Sequence, residues 1–210
     1  AALTTAKLSG LNSTQVAALS TTQVNVLTTA QLSGLTATQS AGLETADVAV
    51  LTTTQITGLT STAVAGLTTK QLAVLSTTQL GGLTTAQVRN LSSTQLAALS
   101  TTQIEGLGTE EFGGLSATQL GYLSTRQIAA MESADLNVLT TAQLAGLSST
   151  QLSALSDTQV STLATAVVSG LTNTALGTLT TRQVASLSTT AVAALTTAKL
   201  SGLNSTQVAA

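Results

Sequence analysis

The segment Leu83–Val88, with the sequence LTTAQV, contains in six residues the signals that decide the fold of this chain. Thr84 and Gln87 have the spacing of a capping box. In this motif the hydroxyl accepts from the backbone N–H three residues on, and the glutamine side chain reaches back to the N–H of the cap residue. Leu83 before the cap and Val88 after it are placed to form a hydrophobic staple. The segment therefore predicts the start of a helix.

The same pattern recurs every eight residues along the whole chain. Leucine occupies 25 of the 26 positions spaced by eight from Leu3 to Leu203, and Met131 occupies the other. With the octad lettered a to h from that leucine, position b is Ser or Thr in 20 octads and position e is Gln in 17. Position f is apolar in 25 octads, with Ser40 as the exception. So strict a period predicts one small structural unit copied end to end, rather than a globular domain.

Each predicted helix is short, because the next cap follows eight residues later. Small residues at g and h, such as Gly34 and Gly82, are typical of helix ends. Position f and the next position a are three residues apart and lie on one helix face. Helices of two turns are unstable alone and must stack. We therefore predict an all-α solenoid of very short capped helices, one per octad. At position d, residues other than threonine recur mostly at intervals of two or three octads. These intervals indicate two or three octads per turn of the solenoid.

The pattern assigns structural roles to individual residues. Capping roles fall to Thr28, Gln31, Thr52, Gln55, Thr84, Gln87, Ser92, Gln95, Thr140 and Gln143. Core positions fall to Leu27, Leu32, Leu51, Ile56, Leu83, Val88, Leu139 and Leu144. Phe112 at position f is predicted to join the core, and Tyr122 at position h is predicted to be either a larger space-filling side chain or an exposed contact.

A β-solenoid is the main alternative fold. Threonine and valine favour strands, and short-period arrays can coil as parallel β-helices. Positions a and f are five residues apart, however, and would point to opposite faces of one strand. One continuous helix is a weaker alternative, because a leucine stripe of period eight would wind around the rod and remain unburied.

Composition restricts the possible functions. Charged residues make up 7% of the chain, against roughly a quarter in typical domains, and the net charge is −2. Such a surface gives no electrostatic basis for binding nucleic acid. No run approaches the roughly 18 apolar residues of a membrane span. The chain has no Cys or His, so no common nucleophile–base pair can be built. We expect no enzymatic activity, no catalytic residue, no cofactor and no metal site.

Acidic residues form a few local groups that helix capping explains. Glu44 with Asp47 and Glu132 with Asp135 occupy positions b and e of two octads. Glu111 takes the glutamine position of its own octad. Acidic side chains in the first turn of a helix interact favourably with the helix dipole, so we interpret all three groups as capping variants.

The two ends of the sequence are identical. Residues 193–210 repeat residues 1–18 without a change, at an offset of 192 residues, which equals 24 octads. We therefore expect residues 1–210 to form one continuous array of 26 octads. Two main interpretations remain open: a 192-residue super-repeat within a longer chain, or a segment of a periodic filament. The alternative is that one short segment was duplicated at the far end.

The motif LTTAQV resembles the opening of TAL-effector repeats, Leu-Thr-Pro-x-Gln-Val. The array lacks the proline and the base-reading loop of those repeats and has a much shorter period, so the likeness covers only the helix start. Over its full length the chain is similar to the Thr/Gln/Leu octapeptide arrays of large bacterial secreted or surface proteins. That resemblance implies bacterial origin, export and a scaffolding role.

Two classes of function remain after these observations. The first is a non-enzymatic structural protein that assembles with itself, end to end or laterally, into an extracellular rod, stalk or filament. The alternative is a surface-binding module, either an adhesin or an ice-binding array of Thr and Ser, whose ligand or glycan is unknown.

Overall fold

Every octad forms one short helix. The computed structural model describes residues 4–209, and these contain 26 α-helices of four to six residues and no strand. The prediction of an all-α fold is confirmed and the β-solenoid alternative is wrong. The physical reason is that the cap residues restart a helix in each octad before an extended segment can lengthen.

The helices occupy the following ranges. They are α1 (Thr5–Ser9), α2 (Ser13–Ala17), α3 (Thr21–Asn25), α4 (Thr29–Leu32), α5 (Ala37–Gly42), α6 (Thr45–Val50), α7 (Thr53–Gly58), α8 (Ser61–Ala65), α9 (Thr69–Ala73), α10 (Thr77–Leu80), α11 (Thr85–Arg89), α12 (Ser93–Ala97), α13 (Thr101–Glu105), α14 (Thr109–Gly114), α15 (Ala117–Gly121), α16 (Thr125–Ala130), α17 (Ser133–Asn137), α18 (Thr141–Leu144), α19 (Ser149–Ser153), α20 (Asp157–Ser161), α21 (Thr165–Gly170), α22 (Asn173–Thr178), α23 (Thr181–Ser186), α24 (Thr189–Ala193), α25 (Thr197–Leu200) and α26 (Ser205–Val208).

Helix α6 ends where the backbone becomes extended at the next leucine and cap. After α6, Leu51 has φ −61° and ψ 131°, and Thr52 at the N-cap of α7 has φ −70° and ψ 160°. Extended backbone at the N-cap allows the side chain of this residue to accept a hydrogen bond from a backbone N–H of the first helical turn. The chain therefore bends once per octad.

The chain divides into two units, residues 1–114 with α1–α14 and residues 115–210 with α15–α26. Within the first unit, α2 packs against α5 and α5 against α8. Within the second, α20 packs against α23 and α23 against α26. Helices three octads apart are therefore neighbours, and one turn of the solenoid contains three octads. The sequence had indicated two or three.

The side chains at positions a and f form the core of each unit. Leu32, Ile56 and Val88 at position f are completely buried, and the position-a residues from Leu27 to Leu195 are nearly so. Burial of each such side chain contributes on the order of 1.5–3 kcal/mol. Among the described residues, no helix has the length and apolar character required to cross a membrane.

Candidate functional site

Capping boxes join the start of most helices to their own first turn. At α4 the backbone N–H of Thr28 donates to Oε1 of Gln31 at 2.7 Å, and the N–H of Gln31 donates to the Thr28 hydroxyl at 3.3 Å. The Thr28 hydroxyl also donates to the same Oε1 at 2.9 Å. These bonds satisfy donors that a helix start leaves without intrahelical partners.

The structure places each sequence-predicted capping residue in such a box. The pairs are Thr28 with Gln31, Thr52 with Gln55, Thr84 with Gln87, Ser92 with Gln95, and Thr140 with Gln143. Two of the 26 caps use asparagine instead, at α2 and α26.

The glutamine side chain has a second role that sequence reasoning missed. While Oε1 of Gln87 accepts from its own cap at 2.7 Å, Nε2 donates to the carbonyl oxygens of Ile56 at 2.8 Å and Leu59 at 2.7 Å. These acceptors lie 31 and 28 residues earlier, on the preceding turn. Gln87 is only 1% exposed, so its amide is a buried polar link between turns.

The same link repeats along both units, and we call it the glutamine ladder. Its members donate through Nε2 to a position-a carbonyl 28 residues earlier. The pairs include Gln39 with Leu11, Gln55 with Leu27, Gln71 with Leu43, Gln79 with Leu51, Gln95 with Leu67, Gln103 with Leu75, Gln143 with Leu115, Gln151 with Leu123, Gln159 with Met131, Gln183 with Leu155 and Gln207 with Leu179.

One signal in the sequence could have revealed the ladder. A capping box accepts either glutamate or glutamine at its last position, yet position e is glutamine in 17 octads and glutamate in one. Only glutamine carries an N–H donor in addition to the capping oxygen. The preference therefore indicates a need for a donor beyond the cap.

The predicted core residues lie beside this ladder. The exposed fractions are 6% for Leu27, 0% for Leu32, 3% for Leu51, 0% for Ile56, 3% for Leu83, 0% for Val88, 5% for Leu139 and 3% for Leu144. Phe112 is fully buried, whereas Tyr122 is 45% exposed. Of the two roles predicted for Tyr122, this exposure favours an exposed contact over a space-filling side chain.

Glycine at position h permits close contact between turns rather than a left-handed helix end. No described residue has a positive φ, and Gly66 has φ −78° and ψ −17°. A Cβ added at Gly66 would lie 2.4 Å from the Cα and carbonyl oxygen of Ala37 on the preceding turn. Gly42 meets Ser13 in the same way. The helix-end role expected from sequence is thus accompanied by a packing requirement.

The comparison with known families is consistent with this repeating geometry. The model of the ALTTAQ repeat matches residues 1–29, 40–77, 73–109 and 128–165, which together cover more than half of the chain. The chain belongs to the ALTTAQ repeat family. The prediction of a tandem-repeat array is confirmed. No curated protein matches the chain.

Several octads of this ALTTAQ array replace the glutamine. Lys199 preserves the link, since its Nζ donates to the carbonyl of Leu171, 28 residues earlier. Glu111 preserves only the cap, with Oε2 accepting from the N–H of Gly108 at 2.9 Å. The side chains of Ala63 and Ala175 can neither accept a hydrogen bond for the cap nor donate one to the preceding turn, and both residues are buried. Of the side chain types present at position e, only the glutamine amide and the lysine ammonium carry an N–H donor.

Cationic side chains form further contacts between turns of the array. Nε of Arg89 donates to the carbonyl of Gly114 at 2.7 Å. Arg182 and Asp157 form an ion pair at 3.3 Å, with the Arg182 side chain 85% exposed and that of Asp157 45% exposed. Exposed ion pairs contribute little to stability. Within the described residues, no three His, Cys, Asp or Glu side chains form a group that could hold a metal ion.

Ser40 is a polar exception within the core of the array. It occupies position f of its octad, is fully buried, and its hydroxyl oxygen has no hydrogen-bond partner. Its carbonyl oxygen accepts from Nε2 of Gln71 at 2.8 Å, so the backbone here is part of the ladder. A buried hydroxyl without a partner carries a desolvation cost of about 1–3 kcal/mol.

We predict that Ser40→Ala raises the free energy of unfolding by about 1 kcal/mol, because the unpaired hydroxyl is removed. Urea denaturation followed by circular dichroism measures the change. Ser153→Ala is the matched control, since Ser153 is exposed within a helix and its hydroxyl donates to the Thr150 carbonyl at 3.1 Å. The Ser40 variant should gain clearly more stability than the control. Equal changes would contradict the role of the buried hydroxyl.

Asp47 places an acid where the ladder normally has an amide. It is 1% exposed, and its Oδ2 accepts from the N–H of Glu44 at 3.1 Å. Burial raises the pKa of Asp47 above the ordinary value of 3.8 for an aspartate; the hydrogen bond from the Glu44 backbone opposes this increase, and the Glu44 carboxylate adds to it. The folded state therefore disfavours the charged form.

We predict that Asp47→Asn is more stable than the native chain at neutral pH and that the difference disappears in acid. As the pH rises from 3.8 toward the raised pKa, the unfolded chain releases the Asp47 proton first. The native chain therefore loses stability over that interval, whereas the asparagine variant does not. Urea titrations at pH values on both sides of 3.8 measure the difference. A difference that is independent of pH would contradict this explanation.

Proposed function

We propose that this chain is a non-enzymatic structural repeat protein that forms a stiff rod, stalk or filament outside a bacterial cell. One observation carries the proposal: the same amide link and the same apolar pair recur from turn to turn. The link appears as early as Gln39 and as late as Gln207. Stability in such arrays is a sum of repeat and nearest-neighbour terms, so length can be extended with no new type of contact.

The ladder supplies a physical basis for stiffness. Each full ladder glutamine connects three backbone positions: its own cap and two carbonyls of the preceding turn, as in Gln71 with Ser40 and Leu43. These bonds are buried, where hydrogen bonds are stronger than in water. Pulling neighbouring turns apart would break the amide bonds and expose the leucines at once. A load on the array would therefore be shared among many equivalent contacts.

Solution scattering and negative-stain electron microscopy of the purified chain test the rod. A compact domain of 210 residues has a radius of gyration of about 17 Å. We expect a clearly larger value and elongated particles. A radius at or below that of a compact domain would reject the rod. Antibody binding to intact cells, compared with lysed cells, tests the location separately, and binding only after lysis would reject an extracellular role.

A specific observation favours a surface-binding module as the second candidate. Thr54, Thr78 and Thr102 are exposed and follow one another at intervals of 24 residues, the length of one turn. They therefore occupy the same position on successive turns of the first unit. The corresponding series through Thr94 is interrupted, since Lys70 lies one turn before it. A regular row of hydroxyls could engage ice or a glycan surface.

Freezing-point depression by the purified chain tests this second candidate for ice. We expect Thr78→Lys to reduce any depression, because it interrupts the row. Thr94→Lys should leave it unchanged, because that series already contains a lysine. Absence of freezing-point depression in the native chain would remove the ice-binding form of this proposal.

A further inference from the structure

Some side chains at position g form a hydrogen bond to the next turn of the solenoid. Oγ1 of Thr57 donates to the carbonyl oxygen of Gly82 at 2.9 Å, and Nε of Arg89 donates to that of Gly114 at 2.7 Å. In both pairs the acceptor is the position-h carbonyl 25 residues later. The last carbonyls of a helix have no intrahelical partner, so a donor at position g satisfies an oxygen that would otherwise face solvent.

The neighbouring helices α10 and α13 lack this donor. Gly81 occupies position g, and a Cβ added there would lie 2.8 Å from the carbonyl oxygen of Gly106, which is 25 residues later. Within residues 4–209, no side chain donates to that oxygen. The carbonyl therefore remains available in an open groove of about 450 Å³ between the two helices. The groove is lined by Thr77, Thr78, Gly81, Thr102, Glu105 and Gly106.

Glu105 adds a negative charge to this groove, which we call the Glu105 groove. It is the only acidic residue at position g of any octad, and it is exposed. Carboxylate and carbonyl oxygens accept hydrogen bonds and donate none. The hydroxyls of Thr78 and Thr102 in the lining can accept as well. The Glu105 groove therefore favours a cationic group that carries several N–H donors.

A second groove in the same unit has the same construction without the carboxylate. It lies between α2 and α5 and has a volume of about 410 Å³. Its lining residues take the same octad positions, in the same order, as those of the Glu105 groove. Ala41 occupies the position of Glu105, so we call it the Ala41 groove; it offers the carbonyl of Gly42 but no charge. It is lined by Ser13, Thr14, Ala17, Thr38, Ala41 and Gly42.

We propose that the Glu105 groove binds the guanidinium group of an arginine side chain from a partner protein. A guanidinium is planar and carries five N–H donors, so two can bond the Glu105 carboxylate while another bonds the Gly106 carbonyl. Arg89 provides the precedent within the chain, since its guanidinium donates to the equivalent carbonyl of Gly114. A lysine ammonium is a compact charge without the fork that matches a carboxylate. The site goes beyond the proposed structural role, because it holds a partner at one place along the array.

Titration of the folded chain with the end-blocked peptide Gly-Arg-Gly tests the site by NMR. Isotope labelling of the glycine carbonyl carbons gives one signal for each of the 16 glycines, so Gly106 and Gly42 report on the two grooves in one sample. We expect the Gly106 signal to shift along a saturating curve and the Gly42 signal to stay in place. The neutral citrulline peptide should shift neither signal, and the lysine peptide should bind more weakly than the arginine peptide. Equal shifts at both glycines, no shift at Gly106, or lysine binding as tight as arginine binding would overturn the proposal.

Two glutamate variants separate the groove from the overall charge of the chain. Glu105→Gln removes the carboxylate charge at nearly constant size and should weaken binding of the arginine peptide about two- to fivefold. Glu110→Gln is the matched control, because Glu110 is also exposed but lies outside the groove lining. This control should leave the titration of the Gly106 signal unchanged. Equal weakening by both variants would mean that net charge alone attracts the peptide, and the proposal would fail. The readout is independent of whether the chain forms a rod or acts outside the cell.

Discussion

Replacing Gln87 by alanine is expected to lower the free energy of unfolding by about 3 kcal/mol. The substitution removes the acceptor for the N–H of Thr84 and the donor to the carbonyls of Ile56 and Leu59. Because Gln87 is 1% exposed, water does not readily replace these hydrogen bonds. The smaller alanine side chain also leaves a cavity, which lowers stability further. Urea denaturation of the variant and the native chain under one set of conditions measures the change.

Two further variants separate the cap from the ladder. Gln15 is exposed and its side chain accepts from the N–H of Asn12 at 2.9 Å, so Gln15→Ala should cost only about 1 kcal/mol. Gln87→Glu retains an oxygen for the cap but replaces the donor with a carboxylate facing two carbonyls. We expect this variant to be destabilised at neutral pH, because a buried charge without a donor is unfavourable. If Gln87→Ala and Gln15→Ala cost the same, the link between turns does not contribute.

The second large effect is expected at a glycine whose backbone angles any residue could adopt. Gly66→Ala should lower the free energy of unfolding by about 2–3 kcal/mol, because the added methyl group overpacks the contact between turns. The new Cβ would lie 2.4 Å from backbone atoms of Ala37, which cannot move without separating the turns. The reduced entropy of the unfolded chain opposes this loss by only about 0.4–1 kcal/mol. Thermal and urea unfolding of the variant measure the net change.

Gly113→Ala provides the matched control with the opposite sign. Gly113 lies within α14, and an added Cβ there would meet no atom within 4 Å. The alanine variant should therefore be more stable than the native chain by roughly 0.5–1 kcal/mol, as expected from helix propensity and chain entropy. Stabilisation by both substitutions, or destabilisation by both, would contradict the packing explanation of Gly66.

Most of the local structure could be predicted from one octad. The hydroxyl of Thr84 and the carboxamide of Gln87 are three residues apart, and that spacing alone predicts where α11 begins. Leu83 and Val88 are apolar at positions that share a helix face, which predicts their burial. These inferences succeed because capping and side-chain periodicity involve residues close in sequence.

Contacts between turns were less accessible from the sequence. The position of Gly66 suggested a helix end, whereas its contact with Ala37 shows that the absence of a Cβ is required by the preceding turn. The sequence left open whether Tyr122 fills space or is an exposed contact, and in the structure its side chain is 45% exposed. In both cases the surroundings of the side chain depend on which residues of another turn lie beside it. Octad spacing does not specify the path of the chain between turns.

The sequence by itself determined that each octad is a capped helix with two apolar side chains on one face, because hydrogen bonds and side-chain spacing within eight residues suffice to define it. Only the tertiary structure decided that three octads form a turn. It also decided that the glutamine Nε2 donates to carbonyl oxygens 28 and 31 residues earlier, as in Gln55 with Leu27 and Val24. Those facts depend on the angle at which successive helices meet, and that angle is set by the packing of leucine, valine and glycine between turns.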